Sequence, residues 1–479
     1  MNADDDALTR RLAVTLGQAS KALPGAPADA VGSVRRRLAR RRRRLRMAAG
    51  AAAVSVALAT MATVAGPYLG LRPDPAAPGP AGTGVIRLWT LSTADRNPGL
   101  RDRIDAFNDR SDARVELSTF GNDAYKRVMA GPWPDPAPDV FENWGGASLA
   151  EPVRAGRATD LTDAVADCPE VSGALLPSVL DGARVDGRLY GLPMTGVQPV
   201  VLFYHKKLFA DAGLSPPRTY AELLTAVDAF RGRGITPIAL AGGERWPALM
   251  HLAYLTDRIG GAGVFAGIAA GRPGAWRDPA LRQAATLTQE LVRRGAFGAT
   301  ADALGYESGA ASRSLADGQA AMQVMGSWEY GNQLRADPAF AARDLGWVPF
   351  PTVAGGTGDP ADVVGVPANY LTVDAQSPYR TEAVDFLLRT VTSDAYVDGL
   401  LAAGEVPAVR DLEPRLAGQP HAEFARFAHR LAAGAPTFTL VWDQALPSAV
   451  AGELLDQTAR LFRLEITPDQ FVAAMAATG

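Results

Sequence analysis

The chain has 479 residues, 47% of them apolar and 21% charged, which suits a globular protein with room for two or more domains. The bulk composition excludes a largely disordered chain and a polytopic membrane protein. The net charge of −3 conceals an asymmetry, because residues 1–46 carry 12 basic and 4 acidic residues and the remaining body is therefore acidic.

Nine arginines fall between Arg35 and Arg46. A basic run beside an acidic body reads as a membrane address, and with no reader fold adjoining it, nucleic acid is not the expected partner. Met47–Leu71 follows: 25 residues without a charge. About 20 apolar residues suffice to cross a bilayer, and the arginines before them should stay cytoplasmic, placing the body outside. Two readings compete, a retained transmembrane anchor and a cleaved export signal. The anchor is favoured because a 46-residue leader is long for a signal peptide. Residues 72–84 (RPDPAAPGPAGTG) hold four prolines and three glycines and read as a semi-rigid linker. The one cysteine, Cys168, can form no intrachain disulfide and no cysteine-based metal site.

From Val85 onward strands and helices alternate. Val85–Trp89 reads as a strand, Leu100–Asn108 as a helix, Arg114–Thr119 as a strand, Tyr125–Met129 as the start of a helix, and Asp139–Phe141 as a strand. A second run follows with strands at Val200–Tyr204, Ile238–Leu240 and Met322–Met325 and a helix at Tyr220–Arg231. Such alternation predicts mostly parallel sheets flanked by helices. Ligands of such sheets bind at the carboxyl ends of the strands, so the loops after Trp89 and Phe141 are the first candidates.

No phosphate-binding loop, G-x-S-x-G elbow or H-E-x-x-H helix occurs. The four histidines are scattered, so neither a metal nor another cofactor is expected. Glu142, Glu329 and Asp443 could supply the facing carboxylates of a glycosidase, but each has a plainer role as a hydroxyl acceptor. The tryptophans are more telling. Trp144, Trp246, Trp328 and Trp442 stand at strand ends or in loops beside small residues or proline. Sugar rings stack their C–H faces on indoles, and their hydroxyls need carboxylates and amides. Trp328-Glu329, Trp442-Asp443 and Glu142-Asn143-Trp144 offer both.

Taken together, IRLWT (86–90), APDVFENWGGASLAEPVRAGRATDLT (137–162), DGRLYGLPMTGVQPVVLFYHKKLFADAGLSPPRTYAELLTAVDAF (186–230), GITPIAL with GERWPALM (234–250), AAMQVMGSWE (320–329) and EITPDQFVAAM (465–475) resemble the maltose-binding-protein-like group of carbohydrate solute-binding proteins of ABC importers. His205 departs from the asparagine usual there. The resemblance implies an α/β, two-lobed periplasmic-binding-protein-like fold with a hinge. Here one N-terminal transmembrane helix would precede it. Hinge strands are expected near Met194–Gln198 and Val366–Asn369. Lobe one would hold about 85–195 and 369–405, and lobe two about 197–366 and 406–479.

The resemblance further implies that Trp328 stacks on sugar, with Trp246 nearby. Ser92 and Asp95 would form the first hydroxyl-binding loop and Glu142, Asn143 and Trp144 the second. Asn369 and Tyr370 would follow the second hinge, and Trp442, Asp443 and Glu329 complete the expected set. The implied function is extracytoplasmic binding of a sugar or oligosaccharide and delivery to a two-subunit permease with a separate ATPase, not catalysis. The alternative is a membrane-anchored sugar sensor uncoupled from import.

Overall fold

The computed structural model describes residues 84–478 apart from Pro132, Pro134 and Pro420. The basic segment 1–46, the expected transmembrane segment 47–71 and nearly all of the linker lie outside the described residues. Among the described residues no helix is long and apolar enough to cross a membrane.

The chain opens on β1 (Gly84–Leu91), a helix at Pro98–Asn108 and β2 (Ala113–Phe120). β1 and β2 pair in parallel along their whole length, from Gly84↔Ala113 to Leu91↔Phe120, as expected of a strand–helix–strand unit. β3 (Val140–Asn143) lies on the other side of β1. A small hairpin, β4 (Arg184–Val185) with β5 (Arg188–Leu189), precedes β6 (Leu192–Pro193). The long β7 (Gln198–His205) starts the second half, which adds β8 (Thr236–Ala239), β9 (Ala320–Gly326), β10 (Leu345–Val348) and β11 (Val363–Val366). β12 (Tyr370–Val373) returns to the first half and β13 (Phe438–Leu440) to the second.

Two sheets result. The first runs β2-β1-β3-β12-β6; the second runs β13-β11-β7-β9-β8, with β10 also on β7. Both are mixed and not mostly parallel as expected, because β12 returns antiparallel to β3 and β6, and β7 runs antiparallel to β9, β10 and β11. β9 is buried throughout, and in β7 Val200, Val201, Leu202 and Phe203 are all fully inaccessible, because helices cover both faces of the sheet. Helix Tyr220–Gly232 shows the local logic. Thr219 caps it by accepting from Glu222 N–H, and the Glu222 carboxylate accepts from Thr219 N–H in return. Leu223, Ala226, Val227 and Phe230 then fall on its buried face. His205 begins the helix Lys206–Ala212 but makes no side-chain cap bond. It is buried against Phe340 instead, with ring centroids 5.1 Å apart.

The chain passes between the sheets at residues 194–197 and 367–369, which are tied to each other. Met194 N–H donates to the Asn369 carbonyl at 2.7 Å, and Asn369 N–H to Thr195 Oγ1 at 2.8 Å. A third segment packs on them: Val197 N–H donates to the Val406 carbonyl at 2.8 Å, and the Tyr396 hydroxyl donates to the Met194 carbonyl. Residues beyond it stay with the first half for a few positions, since Leu176 N–H reaches Ala408 O at 2.9 Å and Arg410 N–H reaches Ala174 O at 2.7 Å. Gly196 permits this packing. A Cβ there would stand 1.6 Å from the Val406 carbonyl oxygen, a backbone atom that cannot swing away. Gly196→Ala should therefore destabilise the fold by about 3 kcal/mol in denaturant unfolding. A loss within error of zero would mean that the three segments separate easily.

Candidate functional site

A cavity of about 800 Å³ lies between the two sheets. Its floor is the crossing itself, contributed by Gln198, Val366 and Asn369. One wall comes from the loops after β1, β2 and β3, namely Leu91, Ser92, Arg96, Asn122, Lys126 and Trp144. The facing wall is built by the second half, with Trp246, Tyr306, Ser312, Trp328, Asn332, Trp442 and Asp443 prominent. The site thus sits at the carboxyl ends of the parallel strands of the first sheet.

The indoles differ in role. Trp144 belongs to a small aromatic cluster separate from the main core, with Leu91 and Tyr125 and with Trp89 and Phe120 against them. It meets Tyr125 edge-on at 6.0 Å, and the Lys126 ammonium lies 5.3 Å from its ring. Trp246 and Trp328 are half-buried, 6.3 Å apart, and Trp246 meets Tyr306 edge-on at 5.4 Å. The Trp328 ring fills the space a side chain at Gly326 would need, 2.0 Å from a Cβ built there. Gly326 therefore makes room for the protein's own indole. Trp442 is 1% exposed and stacks in parallel on Phe265 at 4.6 Å, so most of it serves the core although its edge reaches the cavity.

Five of the expected residues stand outside the lining. Asp95 is exposed, pairing with Arg101 at 2.5 Å and accepting from the Thr119 hydroxyl at 2.8 Å. Tyr370 is fully buried and donates to the Val179 carbonyl at 2.7 Å. Asn143 ties β3 to β12 through Thr372 Oγ1 at 2.8 Å and accepts from Gly145 N–H at 3.0 Å, shaping the turn that carries Trp144. Glu329 is buried behind the second wall, accepting from Tyr306 Oη at 2.7 Å, Ser312 Oγ at 3.0 Å and Gln333 Nε2 at 2.7 Å. It fixes three lining side chains without meeting a solute. Glu142 does the same for the first wall and the floor, accepting from Leu91 N–H at 2.6 Å and from Asn369 Nδ2 at 2.5 Å. Of the three carboxylates considered for hydrolysis only Asp443 is in the lining, and it is paired with Lys126 at 3.3 Å. Among the described residues no cluster of three metal-binding side chains occurs.

Arg96, Lys126, Tyr306, Asn332 and Gln198 line the cavity without having been expected. Lys126 is one of only four lysines, but a lysine-poor, arginine-rich composition runs through the whole chain and marks no site. Arg96 follows the end of β1 closely enough for its loop to have drawn attention. Tyr306 and Asn332 sit in no recognisable pattern. Four polar contacts bridge the cavity walls or their rims: Arg96 Nη1 to Asn332 Oδ1 at 2.6 Å, Lys126 to Asp443, Asp123 N–H to Glu307 at 3.2 Å, and Ser448 Oγ to Glu151 at 3.0 Å.

The model of the bacterial extracellular solute-binding proteins matches residues 92–397. The chain belongs to that family. An uncharacterized ABC transporter extracellular-binding protein of Pyrococcus horikoshii is 26% identical over 253 residues, 52% of this chain and 54% of its own length. The multiple sugar-binding protein of Streptococcus mutans is 24% identical over 216 residues, 44% of this chain and 49% of its own. The chain thus spans about half the length of the curated relatives it matches. A solved structure from work on xylan utilization by Caldanaerobius polysaccharolyticus is 27% identical, with a TM-score of 0.73 over 82% of this chain and 99% of the other. A chitin oligosaccharide binding protein, 24% identical, shares the fold with a TM-score of 0.70 over 82% and 97%. The architecture is therefore the α/β two-lobed solute-binding fold, and the family is one of binding proteins, not enzymes.

Trp328 and Trp442 should separate in mutation. A pyranose face covering about 60–80 Å² of an indole contributes roughly 1.5–2 kcal/mol, so Trp328→Ala should weaken solute binding more than about tenfold while the fold survives. Trp442→Ala should instead lower stability by about 3–5 kcal/mol. Calorimetric titration and melting of both variants check this, and equal melting losses would assign Trp328 to the core.

Glu142 yields a pH dependence. Burial raises its pKa to about 7, against the lowering effect of the bonds from Leu91 and Asn369. The folded value lies above the unfolded 4.5, so between those values the native state holds a proton that the unfolded chain has released. Its contribution makes stability fall as pH rises through that window, on the order of 3 kcal/mol in all. Melting temperatures from pH 4.5 to 8 should decline less steeply in Glu142→Gln, and an unchanged slope would remove Glu142 as the source.

Proposed function

We propose that the protein binds a sugar or oligosaccharide in this cavity and delivers it to the permease of an ABC importer driven by a separate ATPase. The observation that carries the reading is the pairing of indoles on both walls with hydroxyl and amide partners between them: Trp144 facing Trp246 and Trp328, with Tyr306, Asn332 and Asn369 in the same lining. Flat apolar faces beside directed hydrogen-bonding groups match a sugar ring and its hydroxyls. A volume of about 800 Å³ admits more than one ring. Family membership supports the reading, as do the relatives named for extracellular binding in ABC transport and for multiple sugars. The structure from xylan utilization supports a plant-polysaccharide fragment as one ligand to try.

The segments 194–197 and 367–369 act as the hinge between a lobe built on the first sheet and one built on the second. Ser92, Trp144, Trp246, Trp328, Asn369 and Asp443 contact the solute, and Glu142, Asn143 and Glu329 hold the contacting groups in place. The domain is extracellular, and the charge-free segment 47–71 after its arginine run holds it to the membrane.

Melting the full-length protein against mono- and oligosaccharides tests the reading. A ligand of the folded state alone adds about 2.7 kcal/mol at a hundredfold excess over its Kd, so at least one sugar should raise Tm clearly. A complete panel without effect would remove the sugar assignment. In the same preparation the intact chain should sediment with membranes, and an intact chain in the soluble fraction would remove the anchor.

A further inference from the structure

Two guanidinium groups from opposite halves of the molecule converge in the lining. Arg96 comes from the loop after β1, and Arg335 from the last turn of the helix Trp328–Ala336. Arg96 Nη1 donates to Asn332 Oδ1 at 2.6 Å, and Arg335 Nη2 donates to the same oxygen at 3.0 Å. Both cations therefore reach one point on the cavity wall, the neutral Asn332 amide oxygen, and Arg335 Nη1 adds a long bond of 3.5 Å to the Gly331 carbonyl.

Neither is held in a close ion pair among the described residues. Arg101 pairs with Asp95 at 2.5 Å and Lys126 with Asp443 at 3.3 Å, but among the described residues neither Arg96 nor Arg335 has a carboxylate oxygen within 4.0 Å. Burial first, and then the Arg96 charge, push the Arg335 guanidinium below its ordinary value. Glu405 is an acid on which both charges act, but it is buried among the crossing segments with no oxygen within 4.0 Å of either guanidinium, and its burial outweighs their pull and pushes its carboxyl up. The other acids of the lining are engaged elsewhere: Glu307 accepts from Asp123 N–H at 3.2 Å and Asp337 from Phe340 N–H at 3.0 Å, while Asp317 is exposed one residue beyond the helix Ala310–Ala316.

Like charges brought together in a partly desolvated cleft repel each other, and a neutral solute leaves that repulsion standing. A carboxylate accepts from two guanidinium forks at once and relieves it. Resting on the sugar-binding reading above, we propose that the solute is an acidic oligosaccharide whose uronate carboxylate lies between Arg96 and Arg335, in place of the Asn332 amide oxygen, while its rings lie on the indoles. Since the two arginines come from different lobes, the carboxylate also joins the lobes, so its charge favours the form of the protein in which the cleft is closed.

Calorimetric titration of the full-length protein with matched trimers provides the test: trigalacturonate against galactotriose, trimannuronate against mannotriose, and a glucuronate-branched xylo-oligosaccharide against its unbranched form. In at least one pair the acidic member should bind roughly tenfold tighter or more, and that preference should shrink between 0.05 and 0.5 M salt, about a Debye length of 14 Å falling to 4 Å. Arg335→Gln and Arg96→Gln, each checked for an unchanged melting curve, should reduce the preference to within about threefold while neutral binding persists. Neutral members that bind as tightly as their acidic partners would overturn the inference and leave the sugar reading standing. A preference that survives in the double Arg96→Gln/Arg335→Gln variant would also overturn it. Absence of binding by every member of both kinds would remove the sugar reading and this inference with it.

Discussion

Everything in the cavity hangs from the junction between the two sheets, where main chains meet main chains. Met194 and Asn369 share a backbone hydrogen bond of 2.7 Å, Thr195 accepts from the Asn369 amide, and Val406 closes on Gly196 from the third side. Backbone contacts of this kind leave little freedom for sliding, because a carbonyl cannot rotate out of the way as a side chain can. The two sheets are thus joined through a short set of backbone contacts in residues 194–197, 367–369 and Val406. The same junction supplies the cavity floor, through Gln198, Val366 and Asn369.

Around that junction, buried carboxylates organise the walls. Glu142 joins the end of β1 to the amide of Asn369, and Glu329 gathers Tyr306, Ser312 and Gln333. The donors around them are fixed N–H and O–H groups of the walls, each aimed at a carboxyl oxygen. Asn369, for example, commits its amino group to Glu142, which leaves its carbonyl oxygen for other partners. The burial that makes these groups good organisers also raises their pKa, with Glu142 reaching about 7.

The alternation of apolar runs was enough to read β1, β2, β7 and β9 from the sequence, since each strand is either half-covered or wholly covered and shows the matching pattern. The depth of each polar group was not legible in this way. Glu142 and Glu329 each neighbour loop residues that face the cavity, and a position in sequence does not tell whether a carboxylate looks toward solute or away from it. Trp442 shows the same limit in an apolar residue, because the partner that withdraws it, Phe265, is remote in sequence. Tyr306 and Asn332 escaped notice because their loop and helix carry no periodic or compositional mark. Tyr306 matters through its bond to Glu329, which only tertiary structure creates, and Asn332 through its oxygen, which meets Arg96 from the other half.

The division between organising carboxylates and exposed lining has a consequence for how such a protein can change its diet. The Glu142 and Glu329 networks hold Leu91, Asn369, Tyr306, Ser312 and Gln333 without a direct bond to Arg96, Lys126 or Arg335. Arg96, Asn122, Lys126 and Arg335 lie outside the buried core. Duplicated copies of the gene could exchange these outer residues one at a time, each step altering which nutrient is taken while the hinge and the scaffold beneath stay untouched. Divergence of ligand preference would then run ahead of divergence of architecture, and distant members of the family would keep a common frame while feeding on different molecules.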